Sequence, residues 1–543
     1  MSHENQSSSS QSERAAYAEA VRHHRSGRLR EAEALLLEIL NAHPHDCRVL
    51  NSLGVIAAQR GQLDLATSRF NAAITANADD ADAHENLGRV LAQRGKLEEA
   101  VQALQRAVQL QPNDASTFEL LGNVLQEMKQ HELALHAYRR AHECGPELAT
   151  VHCSMGAALK ELGSLNEAVQ SYRRAVALKP DFAQAHSNMG AALNELGRYE
   201  DAANACRMAT ELAPNFAMAY SNLGVSLMGL ARPAEAVEAY RRAVELQSDF
   251  AQAHCNLGNA LRELGDLDAA IAAYSCAIEL DPQFSQAFSS MANAFFQQGD
   301  PQAGVETCDR YLATRPRDCR LLACKSVILG ELGERDRVPY LHDYERLVWP
   351  KQCQAPAEFG SSKSFHEALE EHIRGHPSLA YAPTSHATRL GRHTGELLAE
   401  PKGPIAQLEQ MVDLTVDEYL RSIPDELRDP FFSRPSGRLH KHMWGVVLEA
   451  QGHQIPHIHP TSWLSGVYYV RLPGIVAETE ADKAGWIEFG RPGDEFHCKV
   501  DQLVQSMKPV EGLMILFPSF LYHRTIPFDT AETRISIAFD VFP

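Results

Sequence analysis

Two histidines, His457 and His459, stand one residue apart in PHIHPTSWLSGVYYV, residues 456–470. If this stretch is extended, side chains at i and i+2 leave the same face of the strand. Two imidazoles on one face make half of a metal site, so a third donor must come from another strand. The downstream candidate is His523, in FPSFLYHRTIPF, 64 residues after His459. Most of the 25 histidines are expected to be ordinary solvated or hydrogen-bonded side chains. His440, His442, His453 and His497 are read in that way, and Glu488 is the acidic alternative for a ligand from elsewhere.

A second chemical group follows in TRISIAFDVF. Alternation puts Arg534, Ser536, Ala538 and Asp540 on one face and Ile535, Ile537, Phe539 and Val541 on the other. If the aliphatic face packs against a second sheet or a covering helix, Arg534 and Ser536 point inward. A buried guanidinium needs an anionic partner. A dicarboxylate cosubstrate would serve, gripped by two parallel hydrogen bonds with a serine hydroxyl adding a third. A protein carboxylate is the other possible partner, and an outward-facing arginine the third possibility.

The elements that would hold these groups are short runs rich in β-branched and aromatic residues: HMWGVVLEA, WLSGVYYVRL, GWIEFG, GLMILFPS and RISIAFDVF. Pro, Gly and Asp punctuate them. Several short strands without intervening helices indicate a sandwich or jelly roll. Residues 404–423, PIAQLEQMVDLTVDEYLRSI, have helical apolar spacing, and 376–403 suggest loops or short strands.

HxH, the SGVYY strand, GWIEFG, FPSxLxH with arginine 11 residues later, and an R-x-S ending together resemble the iron(II)/2-oxoglutarate-dependent oxygenases. The nearest likeness is to the group found fused to tetratricopeptide arrays in bacteria. The resemblance covers roughly 375–543, with the firm motifs within about 438–540. It implies His457, His459 and His523 on iron(II), and Arg534 with Ser536 on the distal carboxylate of 2-oxoglutarate. Tyr468 or Tyr469 would line that pocket; strand parity does not choose between them, and Tyr469 is carried forward. It also implies hydroxylation coupled to decarboxylation of 2-oxoglutarate to succinate, with ascorbate alongside. Most such enzymes have a carboxylate where His459 stands, and three histidines also suit zinc.

The first 340 residues are a different kind of protein. Glycine recurs at 54, 88, 122, 156, 190, 224 and 258, each step being 34 residues. Alanine keeps the same period at 32, 66, 100, 134, 168, 202, 236 and 270, and proline recurs at 44, 112, 146, 180, 214, 282 and 316. Each unit reads as two antiparallel helices, with small residues at the close approach, turn glycines such as Gly61 and Gly265 between them, and aromatics such as Tyr138 and Tyr274 in the wedge. One unit alone cannot bury its apolar face, so stacking is obligatory. The pattern resembles the tetratricopeptide repeat family over about nine units. That implies a superhelix whose groove binds peptides or proteins. Asn86, Asn188, Asn222 and Asn256 recur two residues before the series glycine, where an asparagine ladder could bond an extended peptide backbone. A packing or capping role is the alternative.

The expected organisation is a disordered leader over 1–13, an all-α tetratricopeptide superhelix over 14–340, a connecting region over 341–375, and a mainly β double-stranded β-helix (jelly roll) with flanking helices over 376–543. With 51 Lys and Arg against 70 Asp and Glu, the net charge is −19, which argues against a nucleic-acid partner. No run of about 18 apolar residues exists, so no membrane span is expected. Eleven cysteines without a CxxC pair fit free thiols in a reducing cytoplasm. The favoured function is a 2-oxoglutarate-dependent dioxygenase with the array recruiting its substrate. The rivals are an interaction scaffold with an inactive barrel, and a three-histidine metal enzyme that does not use 2-oxoglutarate.

Overall fold

The structure, a computed structural model, describes residues 2–145, 148–382, 387–399, 401–424, 431–433, 438–478 and 482–543. The side chains of residues 1–13, the expected leader, lie outside the described residues; the backbone from Ser2 runs as the first helix, Ser2–Arg25. The chain packs as two compact units. One comprises 1–193 with 204–214, the other 194–203 with 215–543. Among the described residues no helix is long and apolar enough to cross a membrane.

The first unit is built of paired helices. Asp46, Asp80 and Asp114, spaced by the repeat, cap successive first helices by accepting backbone N–H bonds. The series glycines are there for close approach. A methyl group added at Gly54, Gly122 or Gly156 would lie 2.5–2.7 Å from the ring of Phe70, Tyr138 or Tyr172 on the second helix. The turn within each pair needs a left-handed residue. Gly61 and Gly95 supply it, and where glycine is missing Lys129 is forced to a φ of 58°.

The second unit starts with the same architecture. Gly224 and Gly258 accommodate Tyr240 and Tyr274, and Ala231 takes the left-handed turn at a φ of 55°. Its later helices, Ser285–Gln298, Pro301–Leu312 and Cys319–Leu332, lead directly into an antiparallel sheet. The strands are β1 (Trp349–Gln352), β2 (Ala380–Tyr381), β3 (Thr388–His393), β4 (His440–His457), β5 (Leu464–Arg471), β6 (Ile487–Phe489), β7 (Gln505–Met507), β8 (Leu513–Pro518), β9 (His523–Thr525) and β10 (Arg534–Phe542). Their order is β1-β8-β5-β10-β4-β9-β6-β7, with β3 also on β4. Strand β4 pairs with β10 along its first half and with β9 at its end, so it turns from one sheet of the jelly roll to the other. The left-handed Gln451 and a register shift before His457 mark the bend.

The segment 341–375, read from sequence as a connection, supplies strand β1 on β8 and the helix Ser362–Arg374. That helix and Ile405–Ser422 cover the outer face, where Ile535, Ile537, Phe539 and Val541 are fully buried with Phe365, Leu408 and Val412. The same continuous core takes in Phe288, Leu321, Ile328 and Leu329 from the last repeats. The barrel therefore caps the apolar end that a repeat stack would otherwise expose.

Ala231→Gly and Lys129→Gly should each stabilise the fold by about 1 kcal/mol, by removing left-handed strain. Gly258→Ala, which drives a methyl into Tyr274, should destabilise by about 1–3 kcal/mol. Chemical denaturation of the three variants checks both signs.

Candidate metal centre

His457 closes β4, and His523 opens β9 directly opposite it in the antiparallel register. Facing residues on paired strands share a face, which brings their rings to 4.2 Å between centroids. His459 lies just past the end of β4, where its backbone N–H donates to the Ser519 carbonyl at 3.2 Å. Its ring sits 5.2 Å from His457 and 5.1 Å from His523. One nitrogen from each ring falls within 4.8 Å of the others, and among the described residues no other His, Cys, Asp or Glu joins this group.

The Nδ1 side of every ring is already engaged. His457 Nδ1 contacts the Ile455 carbonyl at 2.8 Å, and His523 Nδ1 the Leu521 carbonyl at 3.0 Å. His459 Nδ1 contacts Asp540 Oδ1 at 2.6 Å. A carbonyl or carboxylate only accepts, so each Nδ1 carries the proton and each Nε2 keeps its lone pair for a metal. Burial, with the neighbouring imidazole of His459, pushes His457 down to about 3, and burial drives His523 well below the usual histidine range. Both rings are therefore held in the neutral form that a metal requires.

Asp540 was not singled out from sequence beyond its place on the inward face of β10. It is 8% exposed and lies opposite Ser465, whose hydroxyl donates to Oδ1 at 2.7 Å. Ser465 in turn contacts Ser519, and Ser519 contacts Ser462, all buried. The carboxylate sought among the direct ligands is thus found behind His459. Such a carboxylate orients the imidazole and raises its basicity. The acidic alternative, Glu488, is held by Arg491 at 2.6 Å and Arg524 at 2.8 Å. It lies opposite Arg524, while its neighbour Phe489 lies opposite His523, so Glu488 faces away from the histidines.

The three histidines line a cavity of about 290 Å³ that also holds Arg534, Ser536 and Tyr469. Ser536 and Tyr469 are cross-strand partners and both line this cavity. Tyr468 faces outward, with its hydroxyl 2.9 Å from His366 on the covering helix. Arg534 is 2% exposed and stacks on the Tyr469 ring at 5.1 Å. One guanidinium N–H donates to the Gly485 carbonyl at 2.9 Å. Its Nε and the Tyr469 hydroxyl are both buried without a hydrogen-bond partner, and no carboxylate of the described residues pairs with the charge. His393, unremarked in the sequence, also lines this cavity, 2.5 Å from the Thr388 hydroxyl.

Asn86 and Asn188 fall in the first unit, Asn222 and Asn256 in the second, all half-buried on first helices of their repeats. Asn188 and Asn256 each accept a bond from a glutamine four residues earlier, at 2.8 and 3.0 Å. Asn86 donates to Asn51 at 3.1 Å.

Residues 442–540, which contain every residue of the centre, match the family described as "Putative 2OG-Fe(II) oxygenase". Tetratricopeptide repeat families match 17–67, 88–129, 158–197, 183–216, 216–247, 234–261 and 258–299. The chain thus joins segments that match tetratricopeptide repeat families to one that matches that oxygenase family. No curated protein matches it. Among solved structures it is similar to YrrB, titled a TPR protein with an unusual peptide-binding site, at 24% identity over 35% of this chain and 98% of that one, TM-score 0.30. It is also similar to PilF of Pseudomonas aeruginosa, at 20% identity over 38% and 94%, TM-score 0.34. A third likeness is to the APC/C hetero-tetramer Cut9-Hcn1, at 17% identity over 55% and 59%, TM-score 0.40.

Two outcomes follow from the centre. Asp540→Asn should lower metal affinity about 10–100-fold with the fold retained, measured by competitive metal titration and circular dichroism. Because the buried histidines titrate lower in the folded than the unfolded chain, the unfolded chain binds more protons as pH falls from 6.5 towards 3. Stability of the metal-free protein should therefore fall through that window, with a shallower slope in His457→Gln.

Proposed function

We propose that the barrel is an iron(II)/2-oxoglutarate-dependent hydroxylase and that the repeats recruit a protein or peptide substrate. The observation that carries this is Arg534, a buried cation with an orphaned N–H, facing three imidazoles across one small cavity. A dicarboxylate that also chelates a metal answers both ends of the cavity. The matching oxygenase family supports iron(II) and 2-oxoglutarate as the pair. When bound, that pair supplies the oxidising chemistry that hydroxylates a C–H bond.

His457, His459 and His523 would hold the metal through Nε2, their orientation set by two backbone carbonyls and Asp540. Arg534 would grip the far carboxylate of 2-oxoglutarate, with hydroxyls from Ser536 and Tyr469 beside it. The apolar walls, Val446, Phe517 and Ile487, exclude water and strengthen these interactions. The repeats offer asparagines for a peptide backbone within each unit, Asn86 and Asn188 in the first and Asn222 and Asn256 in the second; the Asn256 carbonyl oxygen is occupied by glutamine, so its amide suits a peptide carbonyl. The Asp540–His459 pair is also the arrangement of many zinc centres, so a zinc enzyme without 2-oxoglutarate is the second reading.

Succinate formation from 2-oxoglutarate with iron(II) and ascorbate decides between them. The wild type should turn over, and His523→Ala and Arg534→Ala should each lose about a hundredfold or more. A wild type that does not bind 2-oxoglutarate with anaerobic iron(II), and instead holds one tight zinc, supports the second reading.

A further inference from the structure

His457 lines a second cavity as well. On its far side Pro456, His457 and Ile458 form one wall of a space of about 510 Å³, in the range of ligand pockets. His457 is the one residue shared with the cosubstrate cavity. The opposite wall comes from the repeat helices Ala251–Glu263, Ser285–Gln298 and Cys319–Leu332, all within the second unit. The third wall is the loop around Asp494–Phe496, pinned by the repeats. The Glu495 carbonyl accepts from buried Asn293 at 3.0 Å and from Gln297 at 2.8 Å. The cavity is thus a fixed space between the repeat surface and one candidate metal ligand.

Its chemistry is specific. Arg262 and Arg320 both line it, and each has a buried Nε without a hydrogen-bond partner. Arg262 makes a long bond of 3.5 Å to the Glu495 carbonyl and lies in hydrogen-bonding reach of the Tyr274 hydroxyl, with its Nε left over. Two carboxylates, Glu263 and Glu495, also line the cavity, but both are exposed and neither pairs with these guanidiniums. Asn259 adds to the wall; its carbonyl oxygen is taken by the Tyr274 hydroxyl at 2.8 Å, so its remaining capacity is as a donor. Ser289 and Ser290 supply hydroxyls. The result is a donor-rich pocket with two guanidiniums that each keep a buried, unpartnered Nε, in a chain whose net charge is −19. Forked guanidinium donors of this kind recognise carboxylates.

We infer that this cavity is the substrate subsite and that it takes an acidic side chain, aspartate or glutamate, of an extended peptide lying on the repeats. Arg262 and Arg320 bind the carboxylate, and the wall at His457 brings the bound segment beside the metal centre. The inference rests on the oxygenase reading for what happens next, but the recognition itself needs neither iron nor 2-oxoglutarate.

That independence sets the test. Fluorescein-labelled nonapeptides with a central Asp or Glu in randomised uncharged flanks are titrated into the full-length protein by anisotropy, beside matched peptides with Asn or Gln. The acidic set should bind about tenfold or more tightly, with the preference shrinking at high salt. Arg262→Gln combined with Arg320→Gln should abolish the preference, while Arg310→Gln, on another cavity, should keep it. Equal binding of acid and amide peptides overturns the inference, as does a preference that survives the double substitution or disappears equally in Arg310→Gln. 2-Oxoglutarate binding to the anaerobic iron(II) protein is measured on the same samples. Loss there with acidic preference intact removes the oxygenase reading alone; the converse removes this subsite alone.

Discussion

A guanidinium almost wholly removed from water, with no carboxylate of the described residues beside it, is the constraint the barrel is built around. Leaving Arg534 uncompensated costs several kcal/mol, and the proposed cosubstrate would offset this by arriving with a negative charge. Strand β10 carries that cation at one end of its inward face and the Asp540 carboxylate at the other. The cation faces the cavity, whereas the anion lies behind His459. Alternation along one strand therefore sets both where the proposed anion would meet its cation and the tautomer of one imidazole.

Much of this was legible in the chain. The 34-residue period named the helix pairs, and residue type alone marked β4, β5, β6, β8 and β10. His457, His459, His523, Arg534 and Ser536 line one cavity because alternation and strand pairing are short-range rules that sequence records. What escaped was set by pairing across strands. Strand parity left Tyr468 and Tyr469 open, and it is the register that puts Tyr469 against Ser536. Glu488 was a fair candidate until its place opposite Arg524 turned it away from His523. Asp540 lay in plain view on the inward face of β10, but its contact with His459 joins residues 81 positions apart.

The join between repeats and barrel escaped for a different reason. Helix Cys319–Leu332 carries Ser326 at the series position and lies within the array, so nothing in its residues signals that it does more than stack. In the structure Leu321, Ile328 and Leu329 are buried in the core that the barrel completes, so this helix is the seam. Glu331 fixes it further by accepting the Lys499 and Val500 backbone N–H groups at 2.8 and 3.1 Å. A packed seam holds the last repeats and the three-histidine cluster at a set distance, which a flexible linker would not do.

On the proposed function, the Arg534 charge exists for the far carboxylate of a dicarboxylate. Binding of 2-oxoglutarate to the anaerobic iron(II) protein is therefore to be compared with that of 2-oxobutanoate, which keeps the keto acid and lacks that carboxylate. 2-Oxoglutarate should bind at least about a hundredfold more tightly, and Arg534→Ala should erase the difference. Equal affinity of the wild type for the two acids would contradict this role for Arg534.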